Sequence, residues 1–380
     1  NLTHAADRRG IVEEFGPPGR FLHSALAALS PQGLVELFEQ EGVATKIEPD
    51  TGKIFPASDK ASDVLDALLA RLRRSGCALA LEEPLIDLER LADGTFRLAT
   101  PKRTIATDKV LITTGGQSYP GSGTSGDGYR WAAALGHTIV PPRPALTPIT
   151  TDAAWVRELQ GVTIPDVVLR VLELGPDGQP VESRSRSGRA KRLDRGCLAE
   201  RRGSFLFTHF GLSGPVVLDV SRVVSGHATP RSLVLQCDFL PEASEAELEE
   251  RLKQEAVSAG KKQLGGLFAP LLPRRLTDAL LQLAELPLDR RAAELSRADR
   301  ARCVAAIKRQ AIPVSGTRGF RKAEVTAGGV ALDEVDSRTM QSLKTPGLYL
   351  AGEVLDLDGP IGGYNFQAAF STGWLAAESM

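Results

Sequence analysis

The chain reads as one α/β domain interrupted by two insertions, and three observations carry that reading. Along its 380 residues the local patterns follow in the order α/β, β, α, α/β. Two short apolar runs, in VLITTGG (110–116) and GLYLAGEV (347–354), read as buried strands that end in glycines. The second is followed by a glycine-rich turn and a last helix, and ligands of open α/β sheets sit at such strand ends. The boundaries fall at 1–147 and 323–380 for the α/β domain, 148–240 for a strand-rich insert, 241–310 for a helical insert, and 311–322 for a strand returning to the first insert.

The length exceeds the roughly 250–300 residues at which single cores stop growing, so more than one core is expected. With 46 basic and 47 acidic side chains the net charge is −1, which excludes a surface built throughout for polyphosphate. No apolar run approaches the roughly 18 residues of a membrane span, so no membrane partner is expected. Cys77, Cys197, Cys237 and Cys303 are far apart and no histidines cluster, which argues against metal sites and for a reducing compartment, the cytoplasm. The first residue is Asn1 rather than methionine, so an upstream segment is expected.

In order, helical spacing appears over 33–42 and over 58–75, the second capped by Ser58 or Asp59 and ended by Gly76. From Cys77 extended runs follow, with a turn at Asp93–Gly94, and lead to a strand from Val110 to Thr114. A glycine-rich loop then opens a short helix that Asp127 can cap, and the stiff, extended ProProArgProAlaLeuThrPro at 141–148 marks a boundary. Residues 149–238 read mostly as strands, including VVLRVLEL, GSFLFTHFG and PVVLDVS. Helical spacing dominates 243–310, and AEVTAGG, GLYLAGEV and the closing helix restore the α/β pattern.

The chemistry concentrates in the last sixty residues. A carboxylate at a strand end, Glu353 after Gly352, can accept hydrogen bonds from sugar-like hydroxyls. Gly362 and Gly363 let backbone approach a flat ring, and the helix start at Tyr364, Asn365 and Phe366 favours negative charge on it. Those are the needs of a reduced flavin; a plain strand-to-helix turn is the bland alternative. Thr114, Gly115 and Gly116 form a second strand end where the chain can turn tightly against a nucleotide. Gly121, Gly123 and Gly126 spell GxGxxG, but Tyr119 and Pro120 separate them from the strand, so the match reads as a loop. His209, Ser213 and Asp219 offer a base, nucleophile and acid in name, yet without the GxSxG elbow a turn is the better reading. His209 stays a candidate catalytic proton donor. Residues 184–202 carry eight basic and two acidic side chains; the run reads as a solvated loop, with RNA contact through Arg184–Arg202 as the alternative.

Three strings, ITTGGQSYPGSGTSGDGY, FLFTHFGLSGP, and AEVTAGGV continuing to GLYLAGEVLDLDGPIGGYNFQAAFSTG, together resemble the BaiN-like family of NAD(P)/FAD-dependent flavoproteins. Weaker agreement, as in GKIFPASDKASDVLDALL, extends over nearly the whole chain. The resemblance implies a glutathione-reductase-type FAD-binding domain, a three-layer ββα arrangement with an inserted β-barrel and a small helical domain. It implies FAD as cofactor, NAD(P)H as reductant, and an unsaturated small-molecule substrate. It places Glu353 and the GlyGlyTyrAsn turn against the flavin, Asn1 and Thr3 in the tail of a loop beside it, and Leu85 in a strand whose backbone meets adenine. The family's first strand, its GxGxxG turn and its ribose-binding acid fall upstream of Asn1. Two other activities follow as alternatives: reduction of uridine in ribosomal RNA, and a binding or scaffold protein that has lost the cofactor.

Overall fold

A computed structural model describes residues 1–181, 196–258, 260–268 and 270–380. The chain divides into two compact units, Asn1–Pro144 with Glu324–Met380, and Ala145–Ala323.

In the first unit Val110–Ile112 pairs in parallel with Leu348–Leu350, with Leu348 opposite Val110 and Leu350 opposite Ile112. Val325–Val330, buried at all six positions, pairs with Ile139–Ala145. Such unbroken apolar runs are those of strands covered on both faces. A three-stranded antiparallel sheet follows the expected turn: Asp87–Arg90, Phe96–Ala99 and Thr104–Thr107, with Asp93 Oδ1 accepting the Thr95 N–H at 2.9 Å. A second small sheet joins Thr3–His4, Lys53–Pro56 and Thr45–Ile47. Helix Pro31–Gln40 is capped by Ser30, whose hydroxyl accepts the Gly33 N–H. Helix Ala61–Arg74 begins after Lys60, without a side-chain cap. Asp59 is not its cap, because left-handed backbone (φ 58°) turns its carboxylate onto Lys46 instead. The helix Asp127–Ala134 starts after Gly126 at φ 82°, and Asp127 is its first residue rather than its cap.

In the second unit seven antiparallel strands lie in the order Gln310–Pro313, Leu233–Asp238, Thr163–Glu173, Cys197–Thr208, Gly211–Ser213, Ile149–Thr150, Gly316–Thr317. Phe205, Phe207, Leu235 and Leu169 from the sheet share one continuous core with Leu252, Leu276 and Ile307 from the helices Glu245–Ser258, Arg274–Leu283 and Arg297–Lys308.

Three expectations are corrected here. PVVLDVS is not a strand but the start of helix Pro215–Gly226. Gly214 at φ 93° ends the preceding strand, Pro215 presets the first helical turn, and Val216, Val217, Val220 and Val224 bury one face. Leu85 is not in a strand: residues 77–86 join no ladder among the described residues, and Leu79 and Leu81 are exposed. Alternating apolar residues make a strand only where a neighbour takes the backbone N–H and C=O groups. Of the basic run, Arg184–Arg195 lies outside the described residues, while Arg201 and Arg202 belong to the strand Cys197–Thr208 rather than to a loop. There Arg202 pairs with Asp166 across the ladder.

Candidate functional site

Three chain segments meet at the carboxyl ends of the parallel pair, and Thr326 joins them. Its buried hydroxyl accepts the N–H groups of Gln117 and Ser118 at 2.8 and 3.0 Å and shares a hydrogen bond with Ser118 Oγ. Its own N–H is donated to Glu353 Oε1 at 2.7 Å. Gly116 has no room for a side chain, since a Cβ would lie 2.3 Å from Thr326 Oγ1 and 2.8 Å from Glu353 Oε1. That contact is what the glycine after the first strand serves. Gly115 turns the chain with φ 69°, and Thr114, two residues past the strand end at Ile112, is exposed above Gly128.

Glu353 follows Gly352, which adopts φ 78° and donates its N–H to Thr372 Oγ1 at 3.0 Å. The two line a cavity of about 140 Å³ with Glu324, Val325, Leu357, Asn365, Phe366, Ala368 and Ala369. Burial pushes the Glu353 carboxyl above its ordinary range, and nearby Asp358 adds to the shift against the Thr326 hydrogen bond. Burial raises Glu324 as well, against the pull of Lys53. Asp356 is raised by burial and by Asp358, and Tyr129, whose hydroxyl donates to the Glu353 carbonyl, by burial and then by Glu353 and Asp356. The wall carries two carboxylates and no basic side chain.

The glycine-rich turn is held from both sides. Asn365 accepts the Gly359 N–H at 2.8 Å and donates to the carbonyls of Gly359 and Pro360. Its amide is therefore committed to the turn, although the residue lines the cavity. Gly363, at φ 98°, packs on the Thr3 backbone, where a Cβ would meet Thr3 O at 2.4 Å. Gly362 presents its carbonyl to His4 Nδ1 at 3.1 Å, and a carbonyl only accepts, so the His4 proton sits on Nδ1. His4 also stacks on Tyr364 at 4.6 Å between centroids. The Thr3 hydroxyl is fully buried and donates to Gln367 Oε1 at 2.5 Å, so it does not reach the cavity. Asn1 is partly buried. Leu85 packs beside the core of the first unit, away from the cavity wall.

His209 lies in the second unit, exposed at the tight turn between Cys197–Thr208 and Gly211–Ser213. Ser213 ends the second of those strands, and Asp219 lies on the helix that follows. Gly121 stands in the short turn Pro120–Ser122 with open space around it, and no strand leads into it. Sequence reasoning did not single out Thr326, Glu324 or His4. The signal for Thr326 lay in AEVTAGG: a hydroxyl inside an otherwise apolar strand needs partners when buried.

The cavity fits part of a flavin dinucleotide. Its volume is below the roughly 300–1,000 Å³ of a complete small-molecule site, and a wall with two carboxylates and no basic side chain suits hydroxyl or N–H donors better than a diphosphate. A polyol segment beside the edge of a flat ring meets those conditions, with Leu357, Ala368 and Ala369 as its apolar floor. Residues 1–379 match the model of the HI0933-like protein Rossmann domain. The chain belongs to the HI0933-like family. The ribosomal RNA dihydrouridine synthase of Escherichia coli K12 is similar to it, with 32% identity over 363 residues covering 95% of the chain and 82% of that protein. The 3-dehydro-bile acid delta(4,6)-reductase of Clostridium scindens is 29% identical over 380 residues, covering 100% of the chain and 87% of that protein. Membership in the HI0933-like family makes the chain a flavoprotein oxidoreductase whose substrate is unspecified. No helix among the described residues is long and apolar enough to cross a membrane.

Proposed function

We propose that the protein takes a hydride from NAD(P)H and delivers it to an unsaturated substrate through FAD seated at the Glu353 cavity. The observation that carries this reading is the convergence of a strand-end carboxylate, a left-handed glycine and a helix start around one acidic, partly apolar cavity. Bound FAD would supply the two-electron chemistry. Glu353, fixed by Thr326, would accept hydrogen bonds from ribityl hydroxyls. Gly352 brings backbone close to the cofactor, while Gly362 and Gly363 set the angle at which the last helix begins. The first-turn N–H groups of that helix have no acceptor within it and point their partial positive charge at its start. Leu357 and Ala368 exclude water from the floor. Gly115 and Gly116 hold the loop after Ile112 against Thr326, which keeps the site rigid.

This reading includes the glutathione-reductase-type arrangement, with the strands of the second unit as an inserted barrel, its helices as a separate insert, and a cytoplasmic setting. Purified protein mixed with FAD should show flavin absorbance near roughly 450 nm after gel filtration and lose it on addition of NADH or NADPH under nitrogen. Protein that elutes colourless from saturating FAD would falsify the assignment and leave the binding-protein alternative. A second reading, reduction of uridine in ribosomal RNA, is favoured by the relative of that name at 32% identity over 95% of the chain.

A further inference from the structure

The turn that carries His209 holds an arginine with no partner of its own. The Arg318 guanidinium lies over the Phe210 ring, 4.4 Å from its centroid, and His209 meets the same ring edge-on at 4.9 Å. Among the described residues Arg318 makes no ion pair and its side chain no hydrogen bond, whereas Arg97, Arg103, Arg170 and Arg202 each pair with a carboxylate. Arg321 and Lys322, three and four residues on, are likewise exposed and unpaired among the described residues.

The mount beneath them is rigid. Gly211 and Leu212 pair with Thr150 and Ile149, and on the other side of that strand Gly316 and Thr317 pair with the same two residues. Thr208 Oγ1 donates to Gly211 O at 2.9 Å across the turn, and the Arg318 N–H is donated to Pro148 O at 2.9 Å. Three adjacent strands thus bring His209, Phe210 and Arg318 to one end of the sheet.

An arginine stacked on an aromatic ring keeps its N–H fork free for a bidentate anion, and the ring is a surface on which a planar group can lie. Cations beside a half-buried aromatic ring, with no carboxylate to neutralise them, form a combination that holds single-stranded nucleic acid, phosphate on the cation and base on the ring. We propose that the Arg318–Phe210–His209 cluster binds RNA, gripping a backbone phosphate with Arg318 and stacking a base at Phe210. The proposal stands apart from the basic run at 184–202 and does not require bound flavin.

A fluorescein-labelled uridine dodecamer, titrated with the full chain and followed by anisotropy at 50 and 200 mM salt, tests it. Wild type should bind and weaken as salt rises. Arg318→Gln should bind about tenfold more weakly at the lower salt, with the log–log salt slope reduced by about 0.7, the value for one lost single-strand phosphate contact. Arg318→Lys should keep the slope and lose part of the affinity. Phe210→Leu should weaken binding about fivefold without changing the slope, and Arg9→Gln, on an exposed helix in the first unit, should change nothing. Circular dichroism would show that each variant is folded; should Phe210→Leu not fold, Phe210→Tyr, which keeps the ring, is expected to bind as wild type. Equal affinity of wild type and Arg318→Gln overturns the proposal. So does Arg318-dependent binding of cholate, a steroid carboxylate, by protein that does not bind the dodecamer.

Discussion

At the scale of single residues, Glu353 connects fold and site through one carboxylate, because Oε1 takes the Thr326 N–H while the residue walls the cavity. Glu353→Gln keeps the shape, so Thr326 retains an acceptor if the amide oxygen turns toward it. What is lost is the charge, and hydrogen bonds to an ionised acceptor are about twice as strong as neutral ones. The variant should remain folded and bind FAD about tenfold more weakly, read by quenching of flavin fluorescence on titration; unchanged affinity would remove Glu353 from the cofactor site. Gly363 sets a different constraint. A Cβ there would meet Thr3 O at 2.4 Å on backbone with φ 98°, so strain and clash act together. Gly363→Ala should destabilise by more than about 2 kcal/mol in urea unfolding, and a neutral result would mean that the helix start can slide.

At the scale of elements, the last helix, Tyr364–Ser379, is anchored by polar groups inside an apolar surface. Gln367 accepts from Thr3, donates to Leu29 O at 3.1 Å and to Ser371 Oγ at 2.8 Å, and Ser371 donates to Leu29 O at 2.7 Å. Gln367→Leu would strand the buried Thr3 hydroxyl, at a cost of about 1–3 kcal/mol. Adding Thr3→Val removes the stranded group, so the double variant should be less destabilised than the sum of the singles, by at least about 0.5 kcal/mol. Strict additivity in the cycle would show that the two side chains do not share this network. The helix itself, its glycine-rich start and the strand before it were legible in the sequence, since apolar runs closed by glycines leave few alternatives. The Thr3–Gln367 pairing was not, because it joins residues 364 positions apart. Nor was helix Pro215–Gly226, whose valines suit a strand until Gly214 and Pro215 are given their weight. The site showed the same division. Glu353 and Gly352 stood out by position, whereas Thr326 and Glu324 gained meaning only when the fold set the strand that carries them beside the other two strand ends.

At the scale of the whole molecule, acid stability brings together groups that local arguments treat separately. In the first unit His137 is buried with Nε2 2.7 Å from Ser342 Oγ. That hydroxyl already accepts the N–H groups of Lys344 and Thr345, so its proton goes to Nε2 and the His137 proton stays on Nδ1. Nδ1 lies 3.2 Å from Glu334 Oε2 in poor hydrogen-bond alignment. Burial lowers the His137 pKa; Glu334 opposes the shift and Lys344 assists it. Glu334 is itself held down at about 2, since Lys344 and the Thr138 amide outweigh its burial. Both groups act in one direction. Below its ordinary value near 6.5 the unfolded His137 takes a proton more readily than the folded one, so stability falls with pH until the lower folded value is reached. Glu334 adds a loss below its ordinary 4.5, as pH falls toward the folded value of about 2. Glu324, Glu353 and Asp356, raised by burial, work the other way, because the folded chain binds their protons first. Replacing His137 separates these contributions. Between pH 7 and 5 the unfolding free energy of wild type, from urea titration, should fall more steeply than that of His137→Gln, and the difference in slope should approach, without exceeding, about 1.4 kcal/mol per pH unit, the limit for one proton. Parallel pH profiles for the two proteins would place the acid sensitivity elsewhere and deny the buried histidine its role.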